Sequence, residues 1–272
     1  MATDFIPEVY EGELLTELNS SLFASNITNS NYTGEISQRG DTVHVYALDD
    51  LAANDKNADD SVQWQTPSGT DQTLTVDQEK DISVFLPRVQ TFQSDIGMQE
   101  AYRTKQVQAA DEDIEDFVLN KVTDGASTID ATGVSSASNF IQEVRKAKVA
   151  LSNNDVPRSD RYMVLPPKYV SMISEYMTEQ LDDKQIAENG FIGRAEGFAV
   201  YESTRLPVYG TNDANSRAMF GHVAAITLAR QIVDMRFYED LPEYHGGGLK
   251  GLVVYGAKTF LPAALGELDV TN

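Results

Sequence analysis

The stretch that decides the fold is residues 95–124, DIGMQEAYRTKQVQAADEDIEDFVLNKVTD. Apolar or small residues recur every three or four positions, the period of an amphipathic helix. They are Val107, Ala110, Ile114, Phe117, Val118 and Val122. The face between them is polar and carries Arg103, Lys105, Gln108, Glu112, Glu115 and Asp116. No proline interrupts the pattern, and Gly125 stands where a helix end is expected. We therefore predict one helix, about 45 Å long at 1.5 Å per residue.

This helix could be an ordinary core helix or a spine that crosses the whole subunit, and its flanks decide between the two. Residues 35–48 (EISQRGDTVHVYAL) place a turn at Gly40–Asp41 before β-branched and aromatic side chains, which favour a strand. Residues 74–86 (LTVDQEKDISVFL) predict the returning strand. The acidic connection between the two strands holds Trp64, the single tryptophan. A polar connection this long indicates function or disorder, so we predict a projecting hairpin whose tip contacts another molecule.

The remaining chain interleaves helices and strands without a regular βαβ alternation, which indicates an α+β fold. A short amphipathic segment, residues 6–25, needs another surface to dock on. Ser138 is a candidate cap for a helix over residues 140–151, and a further helix is predicted over residues 168–177. The predicted strands fall within residues 161–165, 190–208, 218–227, 233–238 and 249–260.

Composition excludes several classes of function. The 272 residues include 42 acidic and 21 basic side chains, a formal net charge of −21. This balance argues against non-specific nucleic-acid binding, which needs a basic surface. The chain has no cysteine and therefore no thiol chemistry. No basic and apolar leader opens the sequence, and no apolar run approaches the roughly 18 residues of a membrane span.

Motifs for catalysis or metal binding are weak. Each histidine stands alone, without a second ligand at metal-binding spacing; the three are His44, His222 and His245. A run beginning at Asp55 resembles a calcium loop, but Asp60 replaces the required glycine and Thr66 the terminal acid. Abundant carboxylates neither support nor exclude a hydrolase of the glycosidase type. We predict no catalytic residue, no metal and no cofactor.

The order of these elements resembles the major capsid proteins of tailed bacteriophages, which have the Hong Kong 97-like fold. GDTVHVYAL (40–48) and VDQEKDISVFLP (76–87) are similar to that family's extended hairpin, or E-loop, and residues 93–123 to its spine helix. NNDVPRSDRYMVLPPKYVSMI (153–173) is similar to the start of its axial domain. RQIVDMRFYED (230–240) and GLKGLVVYGAKTFLP (248–262) are similar to the closing strands of its peripheral domain.

The resemblance implies a domain organisation. It assigns an N-terminal arm to residues 1–40, the extended hairpin to 41–87 and a peripheral domain with the spine helix to 88–138. An axial domain then covers 139–228, and return strands of the peripheral domain cover 229–272.

The resemblance also implies partners and a location. The chain would assemble with itself into hexamers and pentamers that form an icosahedral shell around the genome, without sequence-specific DNA binding and without a membrane. A portal and, because the arm begins close to Met1, a separate scaffolding protein are expected, and a decoration or cement protein is compatible. The subunit would be part of the virion and assemble in the cytoplasm of the bacterial host.

Contacts between subunits are the functional sites we expect. The predicted contact residues are Asp49, Asp50, Asp59, Asp60, Trp64, Arg88 and Arg103. The acidic hairpin, which also includes Asp55, needs basic partners on a neighbour, and the candidates are Arg88, Arg103, Arg145, Lys146 and Arg158. Two alternatives stay open: an encapsulin-like nanocompartment shell with the same fold, and a soluble hydrolase with a dispersed carboxylate site.

Overall fold

The computed structural model describes residues 23–30, 40–48, 53, 64, 66, 69–87, 96–181, 193–238 and 245–272. Within these ranges the helices are α1 Ala24–Ile27, α2 Ile96–Leu119, α3 Ala137–Asn153 and α4 Pro167–Leu181. The strands are β1 Thr42–Leu48, β2 Gly69–Thr75, β3 Gln78–Asp81, β4 Val84–Pro87, β5 Ser127–Asp130, β6 Arg161–Leu165, β7 Arg194–Ala195, β8 Phe198–Glu202, β9 Val208–Tyr209, β10 Asn215–His222, β11 Ile226–Tyr238, β12 Gly246–Thr259 and β13 Leu265–Thr271. Most of the segment predicted over residues 6–25 lies outside the described residues.

The long helix is confirmed as α2, whose 24 residues rise about 36 Å. A 3₁₀ turn, Asn120–Asp124, continues it. The predicted apolar face is buried at Ala110, Ile114, Val118 and Val122. Gly125 directly follows the last residue of this turn, so the helix ends where the sequence predicted, but its φ of −67° is not a left-handed conformation that requires glycine. Gly125 is needed instead for close packing, because a Cβ there would lie 2.9 Å from the carbonyl oxygen of Leu265.

A seven-stranded sheet forms the larger core. Its order is β5-β13-β10-β6-β8-β7, and β9 pairs with β10. All five residues of β6 are buried, as expected for a short buried strand. Helix α3 buries the apolar positions that the sequence predicted, namely Phe140, Ile141, Val144, Ala147 and Leu151. Its predicted cap is wrong: the helix begins one residue before Ser138, and Ser136 at the N-cap position makes no side-chain cap hydrogen bond.

Helix α4 is fastened to the same sheet through Tyr169. Its ring packs against Phe140 with centroids 4.6 Å apart. Its hydroxyl donates to the Thr271 carbonyl oxygen at 2.9 Å and accepts from the Thr271 N–H at 3.0 Å. The two helices and the sheet therefore form one packed unit.

A four-stranded sheet carries α2 on one face. Strands β11 and β12 pair antiparallel, and β12 also pairs with β3 and β4. The rings of Phe117 and Tyr255 meet edge to face, 5.3 Å apart. The Gln106 side-chain amide donates to the Ile82 and Leu249 carbonyl oxygens at 2.7 and 3.1 Å. These contacts place the spine helix along the sheet, as predicted.

The hairpin is confirmed, but its returning strand is not the one predicted. β1 pairs antiparallel with β2, from Thr42 opposite Thr75 to Leu48 opposite Gly69. Residues 78–87, assigned to that return, pair with β12 instead. The alternation of side chains continues through this region, and alternation gives the orientation of each side chain but not the identity of the partner strand.

The two sheets divide the C-terminal part of the chain. The predicted domains treat residues 229–272 as one unit of return strands. Strand β12 lies in the four-stranded sheet, whereas β13 pairs with β10 and β5 in the seven-stranded sheet. Sheet membership therefore changes between Thr259 and Leu265.

Candidate assembly surfaces

The acidic face of α2 is bound within the subunit. Asp111 lies 2.8 Å from the Arg230 guanidinium, and Asp113 lies 3.2 Å from the Lys80 ammonium. Asp113 also accepts a hydrogen bond from the Tyr255 hydroxyl. The basic partners project from strands of the four-stranded sheet. This part of the polar face thus fastens the helix to the sheet and has its charge partly satisfied there.

Arg205 connects α2 to the other sheet. Its guanidinium makes two hydrogen bonds of 2.7 Å to Asp116 and one of 3.0 Å to Glu112. The two-pronged geometry suits a planar guanidinium and a carboxylate. The hydrogen bonds to Asp116, together with the fields of both carboxylates, raise the pKa of Arg205. Since Arg205 follows β8, this contact joins the seven-stranded sheet to the spine helix.

Glu115 anchors the N-terminal segment instead of facing solvent, which corrects its predicted place on the polar face. The side chain is 2 % exposed and accepts a hydrogen bond of 3.0 Å from the Phe23 N–H. Burial raises the pKa of Glu115, and the hydrogen bond from Phe23 and the charge of Arg205 partly oppose that rise. The Phe23 ring stacks on Tyr201 of β8, with centroids 5.1 Å apart. The segment is therefore held at the junction of α2 and the larger sheet.

Asn29 extends this anchor to the four-stranded sheet. Its N–H donates to the Ile226 carbonyl oxygen at 2.8 Å, and its own carbonyl oxygen accepts from the Leu228 N–H at 2.9 Å. Residues 23–30 thus contact both sheets and the spine helix. Any arm that precedes them starts from a fixed point on the subunit body.

The root of the hairpin is packed on the four-stranded sheet. A small apolar cluster joins the two, and its members are Val43, Leu74, Val76, Ala229, Val254 and Phe260. The backbones approach closely, because a Cβ on Gly256 would lie 2.5 Å from the Thr75 carbonyl oxygen. The Lys258 ammonium donates to the Thr73 carbonyl oxygen at 2.8 Å. The root is fixed, so the hairpin has a defined point of departure from the body.

The predicted contact residues are not brought together within the described part of the chain. Asp49, Asp50, Asp55, Asp59, Asp60 and Arg88 lie outside the described residues. Trp64 is 90 % exposed, and Arg103 is exposed on α2. These two side chains are accessible to another molecule, so their assignment as contact residues stays a prediction.

Two of the proposed basic partners already have acidic neighbours in their own subunit. The Arg145 guanidinium lies 2.9 Å from Glu196, and the Lys146 ammonium lies 2.8 Å from Glu143. Arg158 is exposed. Arg103 and Arg158 are consequently better candidates for a contact with a neighbour than Arg145 and Lys146.

Sequence reasoning missed an exposed aromatic pair on the four-stranded sheet. Phe85 on β4 and Tyr238 on β11 both lie opposite Gly248 of the central strand β12. They are 45 % and 40 % exposed. The available signal was the triple glycine at the start of β12, because glycine inside a strand often marks a close approach of another group. The pairing of the three strands was not readable from the sequence.

The described residues show no group of three or more potential ligands that could hold a metal ion. None of the helices in these ranges combines the length and apolar character needed to cross a bilayer.

Comparison with known proteins shows the fold. No protein-family model matches the sequence, and no curated protein sequence matches it. A solved structure from Mycobacterium phage Che8 has a TM-score of 0.77 and 21 % identity, covering 98 % of both chains. The capsid of cyanophage P-SCSP1u has a TM-score of 0.76 and 14 % identity, covering 99 % of this chain and 94 % of that one.

The mature capsid of bacteriophage PhiM1 gives a TM-score of 0.68 and 14 % identity, covering 99 % of this chain and 93 % of that one. At such identities the likeness concerns the fold. The chain has the α+β fold of phage capsid structures, and the fold predicted from the sequence is confirmed.

Proposed function

We propose that this chain is the major capsid subunit of a tailed bacteriophage and assembles into the icosahedral shell that encloses the genome. The observation that carries the proposal is the likeness to the cyanophage capsid over 99 % of this chain and 94 % of that one. The likeness extends over almost all of both chains, so it concerns the overall architecture and not one local motif. The proposed role is structural and not catalytic.

The proposed domains follow from the resemblance and from the sheets. Residues 1–40 form an arm, 41–87 the extended hairpin, and 88–138 the peripheral domain with the spine helix. Residues 139–228 form the axial domain, and 229–272 return to the periphery. Strand β13 pairs with β10 in the seven-stranded sheet, which holds most strands of the proposed axial domain. We therefore refine this proposal and assign the segment from Leu265 onward to the axial domain.

Assembly would use many copies of weak contacts. Each subunit meets its neighbours in hexamers and pentamers, and a weak contact repeated around a closed shell gives a large total stability. The net charge of −21 favours repulsion between copies, so oppositely charged contacts should promote association, and added salt screens both that repulsion and those contacts. The same charge suits a shell that encloses DNA without binding it tightly.

The proposed contact residues between copies lie mainly on the hairpin. They are Asp49, Asp50, Asp59, Asp60, Trp64, Arg88 and Arg103. The exposure of Trp64 and Arg103 supports this set. A separate scaffolding protein and a portal would take part in assembly, and a decoration protein could bind the finished shell. The subunit would be located in the virion after assembly in the host cytoplasm.

Sedimentation and negative-stain microscopy of the purified protein, with and without a co-expressed scaffold, test the function. We expect shells, capsomer rings or tubes. A monomer of about 30 kDa under every condition would overturn the proposal. Small uniform particles that hold an enzyme cargo and no DNA would favour a nanocompartment shell instead.

Charge reversal tests the contribution of the hairpin. Asp59→Lys with Asp60→Lys should reduce assembly and change its dependence on salt, because two of the proposed acidic contacts would become repulsive. The matched control is Glu175→Lys on α4, an exposed acidic residue outside the proposed contacts. Equal assembly of the hairpin variant and the wild type at all salt concentrations would refute these two contacts.

A further inference from the structure

Arg161, the first residue of β6, carries a buried charge at the C-terminal end of α3. The residue is 4 % exposed. Its guanidinium donates hydrogen bonds of 2.6 to 3.4 Å to four acceptors, all of them neutral. They are the carbonyl oxygens of Lys148, Val156 and Pro157 and the hydroxyl of Ser152. Among the described residues, no carboxylate lies within ion-pair distance of this guanidinium.

The acceptors come from two segments, which Arg161 holds together. Lys148 and Ser152 belong to the last two turns of α3, where the helix dipole amounts to roughly half a negative charge. Val156 and Pro157 belong to the loop 154–160 between α3 and β6. A full positive charge exceeds the opposing dipole, so the base of this loop keeps a positive excess.

The loop 154–160 is fixed where it leaves α3. Asp155 has a φ of 54°, and its N–H donates to the Ser152 carbonyl oxygen at 3.3 Å. The N–H of Val156 donates to the Leu151 carbonyl oxygen at 3.1 Å. These two hydrogen bonds and the left-handed residue make up the Schellman motif that ends many helices. The buried side chain of Val156 secures this end of the loop in the core.

The other end of the loop is fixed as well. Asp160 has a φ of 53°, and its carbonyl oxygen accepts from the Val223 N–H at 3.2 Å. Pro157 restricts the backbone between the two ends. A loop that is already ordered loses little conformational entropy when a partner binds. The loop is therefore suited to present a side chain to another molecule.

Arg158 is the basic side chain that this loop exposes. Burial, and after it the charge of Arg158, lowers the pKa of Arg161, so the two guanidinium groups lie close enough to repel each other. Asp155 and Asp160 are exposed on the same loop, but neither lies within ion-pair distance of either arginine. A carboxylate from another molecule would relieve the repulsion. The loop is therefore a surface that accepts an anion.

The hairpin of a second copy carries the matching charge. Residues 49–60 contain five aspartates and one lysine. They lie outside the described residues, and their charge is read from the sequence. A DNA phosphate is the other anion present in a filled shell, but the net charge of −21 opposes the approach of a polyanion. A carboxylate of a neighbouring hairpin is thus the favoured occupant.

We infer that Arg161 is a positioning residue for assembly, which holds the loop 154–160 so that Arg158 binds a carboxylate in residues 49–60 of a second copy. The inference rests on the proposed function, since it requires the chain to assemble. Arg158 is the group that touches the neighbour, and Arg161 acts through it by fixing the loop and by adding positive charge below it.

Charge exchange tests the contact, with assembly followed by sedimentation over a range of protein concentrations. Arg158→Glu should raise the concentration needed for assembly by about tenfold, because a close charge pair becomes repulsive. Adding Asp59→Lys and Asp60→Lys to Arg158→Glu should restore most of the assembly that either change removes. Arg194→Glu, at an exposed arginine on β7, is the matched control, and the hairpin changes should not restore it.

Neutralising the acids of the loop should have the opposite sign. Asp155→Asn with Asp160→Asn keeps a residue type that tolerates a left-handed φ. The pair should lower the concentration needed for assembly by about threefold, because it removes negative charge near Arg158. A loop with a purely structural role would not show this gain.

A double-mutant cycle tests the positioning role. Arg158→Ala is made in the wild type and in Arg161→Lys, which keeps the buried charge but not the forked hydrogen bonds. The effect of Arg158→Ala on assembly should shrink in the Arg161→Lys background. Ser152→Ala removes one acceptor of Arg161 at an exposed position, and it gives the same comparison if Arg161→Lys does not fold.

If the wild type never assembles, the proposed function fails. If it assembles and Arg158→Glu is harmless, or is not restored by the hairpin changes, only this inference is overturned. An effect of Arg158→Glu that appears only when DNA is present would assign Arg158 to a phosphate and would also overturn it. Equal effects of Arg158→Ala in both backgrounds would refute the positioning role of Arg161.

Discussion

The two larger sheets of this subunit differ in how their faces are covered. In the seven-stranded sheet every residue of β6 is buried, and Phe220 on the neighbouring β10 is fully buried as well. In the four-stranded sheet α2 covers one face, and among the described residues the hairpin root packs on part of the other face, where Phe85 is 45 % exposed. The first sheet is complete within one chain. The second keeps partly exposed aromatic side chains on the face opposite α2.

The largest expected difference in stability comes from making the same Phe→Ala substitution in each of the two sheets. Phe220→Ala should lower the free energy of unfolding of the unassembled subunit by about 3–5 kcal/mol, because it leaves a cavity in a closed core. Phe85→Ala should change it by about 1 kcal/mol or less, because a ring that stays 45 % exposed leaves no closed cavity when it is removed. Urea unfolding followed by circular dichroism measures both. Equal losses would show that the two sheets are equally closed.

A medium effect is expected where the two sheets are joined. Arg205→Gln should cost about 1 kcal/mol, since it removes charged hydrogen bonds to Asp116 and Glu112 that are partly screened by solvent. Arg103→Gln, on the exposed face of the same helix, is the control and should have almost no effect on the unassembled subunit. Urea midpoints at low and high salt test this, because the Arg205 effect should shrink as salt rises. A loss that does not depend on salt would assign Arg205 a packing role instead.

The smallest effect concerns the pH dependence at Glu115. Its pKa is raised in the folded subunit, chiefly by burial, so the folded state holds a proton that the unfolded chain has released. The stability of the wild type should therefore fall as pH rises from about 4.5, the usual glutamate value, through the raised pKa. Glu115→Gln should remove this part of the slope while an amide oxygen still accepts from the Phe23 N–H.

Unfolding curves across this pH range provide the measurement. Glu175→Gln, the same change at an exposed carboxylate on α4, is the control and should leave the slope as in the wild type. A slope unchanged by Glu115→Gln would mean that Glu115 does not titrate in this interval.

Periodicity predicted the elements well where the spacing of hydrophobic residues is enough to identify the buried positions. The buried positions of α3 and the fully buried β6 are examples, because hydrophobic spacing alone determines them. Glu115 was misplaced because its partner, the Phe23 N–H, is 92 residues away in sequence. A pattern of residue types cannot reveal that a buried carboxylate has a backbone donor from a distant segment.

The candidate contact surfaces also differ in how far the sequence could reveal them. Trp64 could be singled out from the sequence, because a lone tryptophan in an acidic connection is unusual, and it is exposed. The row of Phe85, Gly248 and Tyr238 could not, since it depends on the two registers that pair β12 with β4 and with β11. The hairpin partner was misassigned for a related reason: β3 continues the alternation of β2 but pairs with β12.

The position of β13 has a consequence for the order of folding. In the seven-stranded sheet β13 lies between β5 and β10, and Ser127 of β5 pairs with Gly266, about 140 residues later. At synthesis rates of roughly 5–20 residues per second, β5 waits on the order of ten seconds for its partner. Contacts this distant also slow the folding of the released chain. The larger sheet therefore closes late, and a nascent subunit acquires its complete shape only after nearly all of its sequence has left the ribosome.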